Sequence, residues 1–108
     1  MRTERRNYPE HQHQVALIRW ANMSVMAYPE LRWLFAVPNA AKRSVQLAAM
    51  LKAEGLKAGV PDLILPCARG GFNSLAIEMK SAAGRTSGAQ DEWIEGLTSL
   101  GWRVEVCR

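Results

Sequence analysis

Cysteine is scarce in this 108-residue chain: there are two, Cys67 and Cys107. They form no CxxC pair and no framework of the kind that staples small secreted domains. Both read as reduced, semi-buried strand residues, because free cysteine behaves as a small hydrophobe. Long apolar runs are missing as well. Nothing approaches the roughly 18 consecutive apolar residues that suggest a membrane span. The start, MRTERRNYPE, lacks the apolar segment of a signal peptide, so a cytoplasmic location is expected, away from any membrane. Internal repeats and low-complexity tracts are absent too.

What is present suits one compact domain, residues 1–108, with a loose charged start from Met1 to Tyr8. The formal charge is +4 and the sequence pI about 9.5, a balance that favours polyanionic partners. Basic residues gather at Arg2, Arg5 and Arg6, at Lys42 and Arg43, at Lys52 and Lys57, and at Lys80 and Arg85. Each cluster is equally well read as solvated surface.

Apolar spacing predicts a helix from Pro9 to before Pro29, with Val15, Leu17, Ile18, Ala21 and Val25 recurring at helical intervals. Leu31 to Val37 reads as a helical turn running into a strand, closed by Pro38-Asn39. Ser44 to Glu54 predicts a second helix with Val45, Leu47, Ala48 and Leu51 facing inward and Gly55 ending it. Strands are expected at Asp62 to Leu65 and Ser74 to Lys80, joined by a loop containing Gly70-Gly71. A third helix starts at Ser87, where Ser-Gly-Ala-Gln has capping-box spacing, and ends at Gly101. Trp102 to Cys107 then alternates as a strand. Strand, helix and strand in that order make a right-handed crossover with parallel strands. The fold class is α/β with a mixed sheet. The four tryptophans fall on separate elements, which reads as core packing rather than a base-stacking platform.

Chemistry concentrates in Gly59-Val60-Pro61-Asp62 and Ile77-Glu78-Met79-Lys80. Alternation along a strand puts Glu78 and Lys80 on one face and Leu75, Ile77 and Met79 on the other. An isolated ExK in an apolar strand marks nothing more than a solvent side. Asp62 changes that reading. In an antiparallel hairpin turning near Gly70-Gly71, Asp62 falls opposite Glu78, Met79 or Lys80, and opposed side chains lie roughly 4.5–5.5 Å apart at Cβ. Two carboxylates so close repel unless one takes a proton or both share a cation. Oxygen ligands of this kind suit Mg²⁺, with the Met79 carbonyl as a further donor. Lys80 is then placed to orient water or offset transition-state charge, and the reaction is phosphodiester hydrolysis.

Glu10 and Gln14 share a face of the first helix that continues through Leu17, Ile18 and Ala21. Glu10 reads either as another metal ligand or as an acid favoured by the helix N-terminus. His11 and His13, two apart, do not face one another on a helix, which disfavours a zinc site with the cysteines. They read as exposed, or His11 as a neighbour of phosphate.

These residues together resemble the VRR-NUC group of PD-(D/E)XK nucleases. The likeness runs from Glu10 almost to the end of the chain. It includes Glu10 with Gln14, Pro38-Asn39 before Arg43, the run from Gly59 to Pro66, Ile77 to Lys80, Ser87 with Gln90 and Trp93, and Gly101 to Val104. The resemblance implies a restriction-endonuclease-like fold, Mg²⁺ or Mn²⁺ dependence and DNA as substrate. It also implies a homodimer acting on branched structures such as four-way (Holliday) junctions, in a bacterial or phage-infected cell. By matching position, Glu10, Asp62, Glu78 and the Met79 carbonyl become metal ligands, Lys80 the catalytic lysine and Gln90 a residue of the site. The capping box alone also accounts for Gln90. Asn39, Lys42, Arg43, Lys57 and Arg85 become candidate DNA contacts. Two departures stand out: Ala40-Ala41 replaces a frequent pair of glycines, and the helix that often follows the last strand is not in this sequence. A non-catalytic DNA-binding module or an assembly domain that kept the fold are the alternatives.

Overall fold

The computed structural model describes residues 8–38 and 44–108. The expectations at Met1 to Asn7 and at Asn39, Lys42 and Arg43 lie outside the described residues. The elements run α1 (Tyr8–Met23), a 3-10 helix (Pro29–Trp33), β1 (Phe35–Ala36), α2 (Val45–Ala53), β2 (Leu63–Leu65), β3 (Leu75–Met79), α3 (Gly88–Ser99) and β4 (Arg103–Cys107). The strands form a single mixed sheet in the order β1-β2-β3-β4. β1 and β3 each pair antiparallel with β2, and β4 lies parallel to β3 across the α3 crossover. The expected α/β class with a mixed sheet is therefore observed.

The hairpin between β2 and β3 closes through a bridge from Arg69 to Phe72 around Gly70 and Gly71. Both glycines have positive φ, 62° and 86°, the requirement of the tight turn whose twist matches its flanking strands. That turn fixes the register, with Leu63 opposite Ile77 and Leu65 opposite Leu75. Leu63, Ile77 and Met79 form the buried core, and Leu17 and Ile18 of α1 pack onto it with Leu34, Leu75 and Cys107. The opposite face of β3 carries Glu78, which Gln90 of α3 reaches by a hydrogen bond, and α3 itself packs on β4.

α1 turns inward the face expected of it: Glu10, Gln14, Leu17 and Ile18 are half-buried and Ala21 is buried. Val15, off this stripe, is exposed. The helix ends at Met23, earlier than Pro29 alone required, and hydrogen-bonded turns from Ala21 to Tyr28 complete the approach to the proline.

α2 corrects a sequence expectation. Ser44 caps it, its Oγ accepting from the Leu47 N–H, but Val45 is 87 % exposed and Leu47 and Met50 are exposed as well. Among the described residues α2 has no extensive packing against another helix or strand; of the four positions expected inward, Ala48 and Leu51 are half-buried and Val45 and Leu47 are not. Trp20 and Trp33 are also exposed rather than core residues. Trp33 lies instead under the guanidinium of Arg32, 4.8 Å from the ring centroid, an arrangement that is favourable at a surface. Both cysteines are free and partly buried, Cys107 in β4 and Cys67 just past β2. No helix among the described residues is long and apolar enough to cross a membrane.

Candidate active site

Asp62 sits one residue before β2, and continuing the ladder by one step sets it level with Glu78. Its position is held twice. The main-chain carbonyl accepts from the Val37 N–H at 2.8 Å beyond β1, and Oδ2 accepts from the Met79 N–H, also at 2.8 Å. Of the three partners that alternation and hairpin geometry allowed, the register selects Glu78 as the opposed residue and gives Met79 the hydrogen bond.

Glu78 is 3 % exposed, an unusual place for a carboxylate. Its Oε2 accepts from Gln90 Nε2 at 2.9 Å and lies 3.7 Å from Lys80 Nζ. Burial, followed by the charge of Asp62, pushes the Glu78 carboxyl up to about 7. Lys80 pulls in the opposite direction without cancelling the rise. The pair is therefore in the conflict expected of opposed carboxylates, relieved by a proton on Glu78 or by a cation shared with Asp62.

Gln90 resolves the two readings of its position by occupying both. Its Oε1 accepts from the Ser87 N–H at 2.8 Å, while Ser87 Oγ accepts from the Gln90 N–H. The capping box is complete, and the amide nitrogen remains free to reach Glu78. Thr86, just before the cap, adds a hydrogen bond from its Oγ1 to Asp91 in the first turn at 2.5 Å.

Asp62, Glu78, Lys80 and Gln90 are thus brought together, with the Met79 backbone at the same level. Glu10 is not joined to them: no group of three or more His, Cys, Asp or Glu side chains placed to hold a metal occurs among the described residues. Its helix covers the apolar face, while Glu78 and Lys80 project from the other. Lys57 is exposed in the segment between α2 and β2, and Arg85 is exposed between β3 and α3. Gly59 was legible only as part of a motif. A Cβ there would fall 2.5 Å from the Ala89 carbonyl, and its φ is +89°, which ties the segment leading to Asp62 directly to the start of α3.

The donor chemistry fits a hard divalent cation. Asp62 Oδ2 and Glu78 Oε2 accept from Met79 and Gln90, and the two carboxyl groups lie within hydrogen-bonding reach of one another, close enough to share an ion. Two oxygen ligands from protein, with the remainder from water and phosphate, is the usual arrangement for Mg²⁺.

A mixed sheet between helices, with aspartate, glutamate and lysine at one end of its two inner strands, defines a restriction-endonuclease-like α/β protein. The chain matches the VRR-NUC domain over residues 8–108, and it belongs to the VRR-NUC family of the PD-(D/E)XK superfamily, whose members are generally nucleases. It is similar to a solved structure described as a VRR_NUC domain protein, with 30% sequence identity, a TM-score of 0.75, and coverage of 91% of this chain and 75% of that one. No curated protein sequence matches it.

Proposed function

We propose that this protein is a metal-dependent DNA endonuclease that hydrolyses phosphodiester bonds at Asp62, Glu78 and Lys80. The observation that carries the reading is the state of Glu78: a carboxylate buried against Asp62 with its carboxyl raised to about 7. Folding alone gives little reason to keep such a pair, since buried ionic groups are often matched in stability by apolar residues of similar volume.

Asp62 and Glu78 would hold Mg²⁺ or Mn²⁺, with the Met79 carbonyl as a further candidate donor. When bound, the ion supplies a Lewis acid that polarises the phosphodiester and favours ionisation of water. Lys80, its side chain 13 % exposed beside Glu78, offsets the negative charge that gathers on the phosphoryl oxygens or orients the attacking water. Gln90 keeps Glu78 in one rotamer. Lys57 and Arg85, with Asn39, Lys42 and Arg43, are positioned in sequence to meet backbone phosphates. Such contacts place DNA without reading its bases, which suits selection of branched shapes such as four-way junctions by a homodimer.

Purified protein should nick or cut four-way junctions faster than linear duplex of the same sequence with Mg²⁺ or Mn²⁺, and EDTA should abolish the reaction. Asp62→Asn should remove cleavage while leaving salt-dependent DNA binding intact. Cleavage undiminished in Asp62→Asn protein overturns the assignment. Binding with no cleavage under any divalent metal favours a non-catalytic module.

A further inference from the structure

We propose that Gly59 is a positioning residue, whose missing side chain lets the segment carrying Asp62 dock on the first turn of α3, so that Asp62 and Gln90 reach Glu78 as one unit. The proposal rests on the reading of Asp62 and Glu78 as metal carboxylates and extends it to the parts that set their separation.

A Cβ on Gly59 would lie 2.5 Å from the Ala89 carbonyl carbon and oxygen and 2.8 Å from the Gln90 nitrogen. All three are main-chain atoms of a capped helical turn, so no rotamer change relieves the contact. From that point a closed circuit of contacts runs through the site. Gln90 donates to Glu78 at 2.9 Å; the next residue, Met79, donates its N–H to Asp62 at 2.8 Å; and Asp62 lies three residues from Gly59 along a segment containing the fully buried Pro61. Displacing α3 at Gly59 lengthens this circuit at its shortest joint, and the Gln90 amide moves away from Glu78.

Two properties of Gly59 must be separated, its close approach and its φ of +89°. Gly55 provides the control. Its φ is +110°, and a Cβ there meets nothing within 4 Å. Asparagine tolerates positive φ better than alanine does but brings the same Cβ. Alanine and asparagine are therefore placed at each position, and three quantities are measured: thermal stability, Mn²⁺ affinity of the DNA-free protein by calorimetry, and kcat and KM for a junction substrate. Gly59→Ala and Gly59→Asn should both weaken Mn²⁺ binding and lower kcat by about 10–100-fold, the usual effect of disturbing groups that orient a ligand, with KM for DNA unchanged. Gly55→Ala and Gly55→Asn should change stability alone. Gly59→Asn with native Mn²⁺ affinity and kcat overturns the proposal.

A measurement on the unaltered protein covers the case in which the Gly59 variants do not fold. On Mg²⁺ addition, the amide resonances of Gly59, Ala89 and Gln90 should shift together with that of Met79. Shifts at Met79 with Gly59 and Ala89 unmoved overturn the positioning role alone. No shift at Met79 overturns the metal reading beneath it.

Discussion

Gln90 holds Ser87 with one end of its amide and Glu78 with the other, at 2.8 Å and 2.9 Å. The hydrogen bonds also settle which end is which, since a main-chain N–H needs the oxygen and a carboxylate needs the nitrogen. The start of α3 is thereby coupled to the most deeply buried charged group in the described structure.

That coupling makes Gln90→Glu more informative than Gln90→Ala. Glutamate completes a capping box as well as glutamine does, and a negative charge in the first helical turn is favourable. If capping were the whole role, Gln90→Glu would be at least as stable as the parent. The contact with Glu78 instead faces one carboxylate with another. Metal-free Gln90→Glu protein is expected to melt below Gln90→Ala at pH 8, with the gap narrowing towards pH 5 as the carboxyls protonate. Melting curves at the two pH values test this, and the reverse order at pH 8 would leave only the cap.

The core makes a separate prediction. Leu63 is 0 % exposed within the cluster that α1 covers, so Leu63→Ala should cost about 2–5 kcal/mol. Val45 was expected to face inward on α2 and does not, so Val45→Ser should stay within about 0.5 kcal/mol of the parent. Urea denaturation of both variants decides it. A large loss at Val45 would mean that its side chain is buried after all.

The contrast between those two residues shows what the sequence made legible. Alternation in Ile77-Glu78-Met79-Lys80 separates a chemical face from an apolar one because the period of a strand is fixed by its backbone. Gly70-Gly71 then determines which residues meet. Helical spacing in α2 says only that Val45 and Leu47 lie on one side of the helix; whether anything packs there is a property of the rest of the molecule. For Gln90, sequence offered two roles as rivals, since spacing cannot reveal that an amide has a donor left over after capping. Gly59 needed coordinates for a simpler reason: what an absent side chain makes room for lies thirty residues further along the chain.

Lys80→Met should separate ligand binding from chemistry. Methionine keeps much of the volume of a side chain that is only 13 % exposed. Removing the ammonium withdraws the influence that lowers the Glu78 carboxyl, so Mn²⁺ binding should weaken at pH 6 and recover at pH 8.5, where Glu78 is ionised. Junction cleavage at pH 8.5 and saturating Mn²⁺ should still fall by roughly 10²–10³-fold, the scale of losing one well-placed electrostatic group. Single-turnover cleavage beside calorimetry checks both halves. Full activity at pH 8.5 would restrict Lys80 to tuning Glu78.

The raised Glu78 carboxyl also fixes the pH dependence of stability in the metal-free protein. A carboxyl near 4.5 when unfolded and about 7 when folded binds more protons in the folded state between those values, so stability falls as pH rises through that window. The contribution is fully present below about pH 4.5 and lost above about pH 7, and it is on the order of 3 kcal/mol. With EDTA present, the melting temperature should decline from pH 5 to pH 8. Glu78→Gln removes the titrating group and should flatten that decline. Mg²⁺ should raise the melting temperature at pH 8 far more than at pH 5, because only the ionised pair attracts it. A profile in which the parent and Glu78→Gln fall in parallel would place the responsible group elsewhere. An Mg²⁺ effect equal at both pH values would separate ion binding from the Glu78 carboxylate.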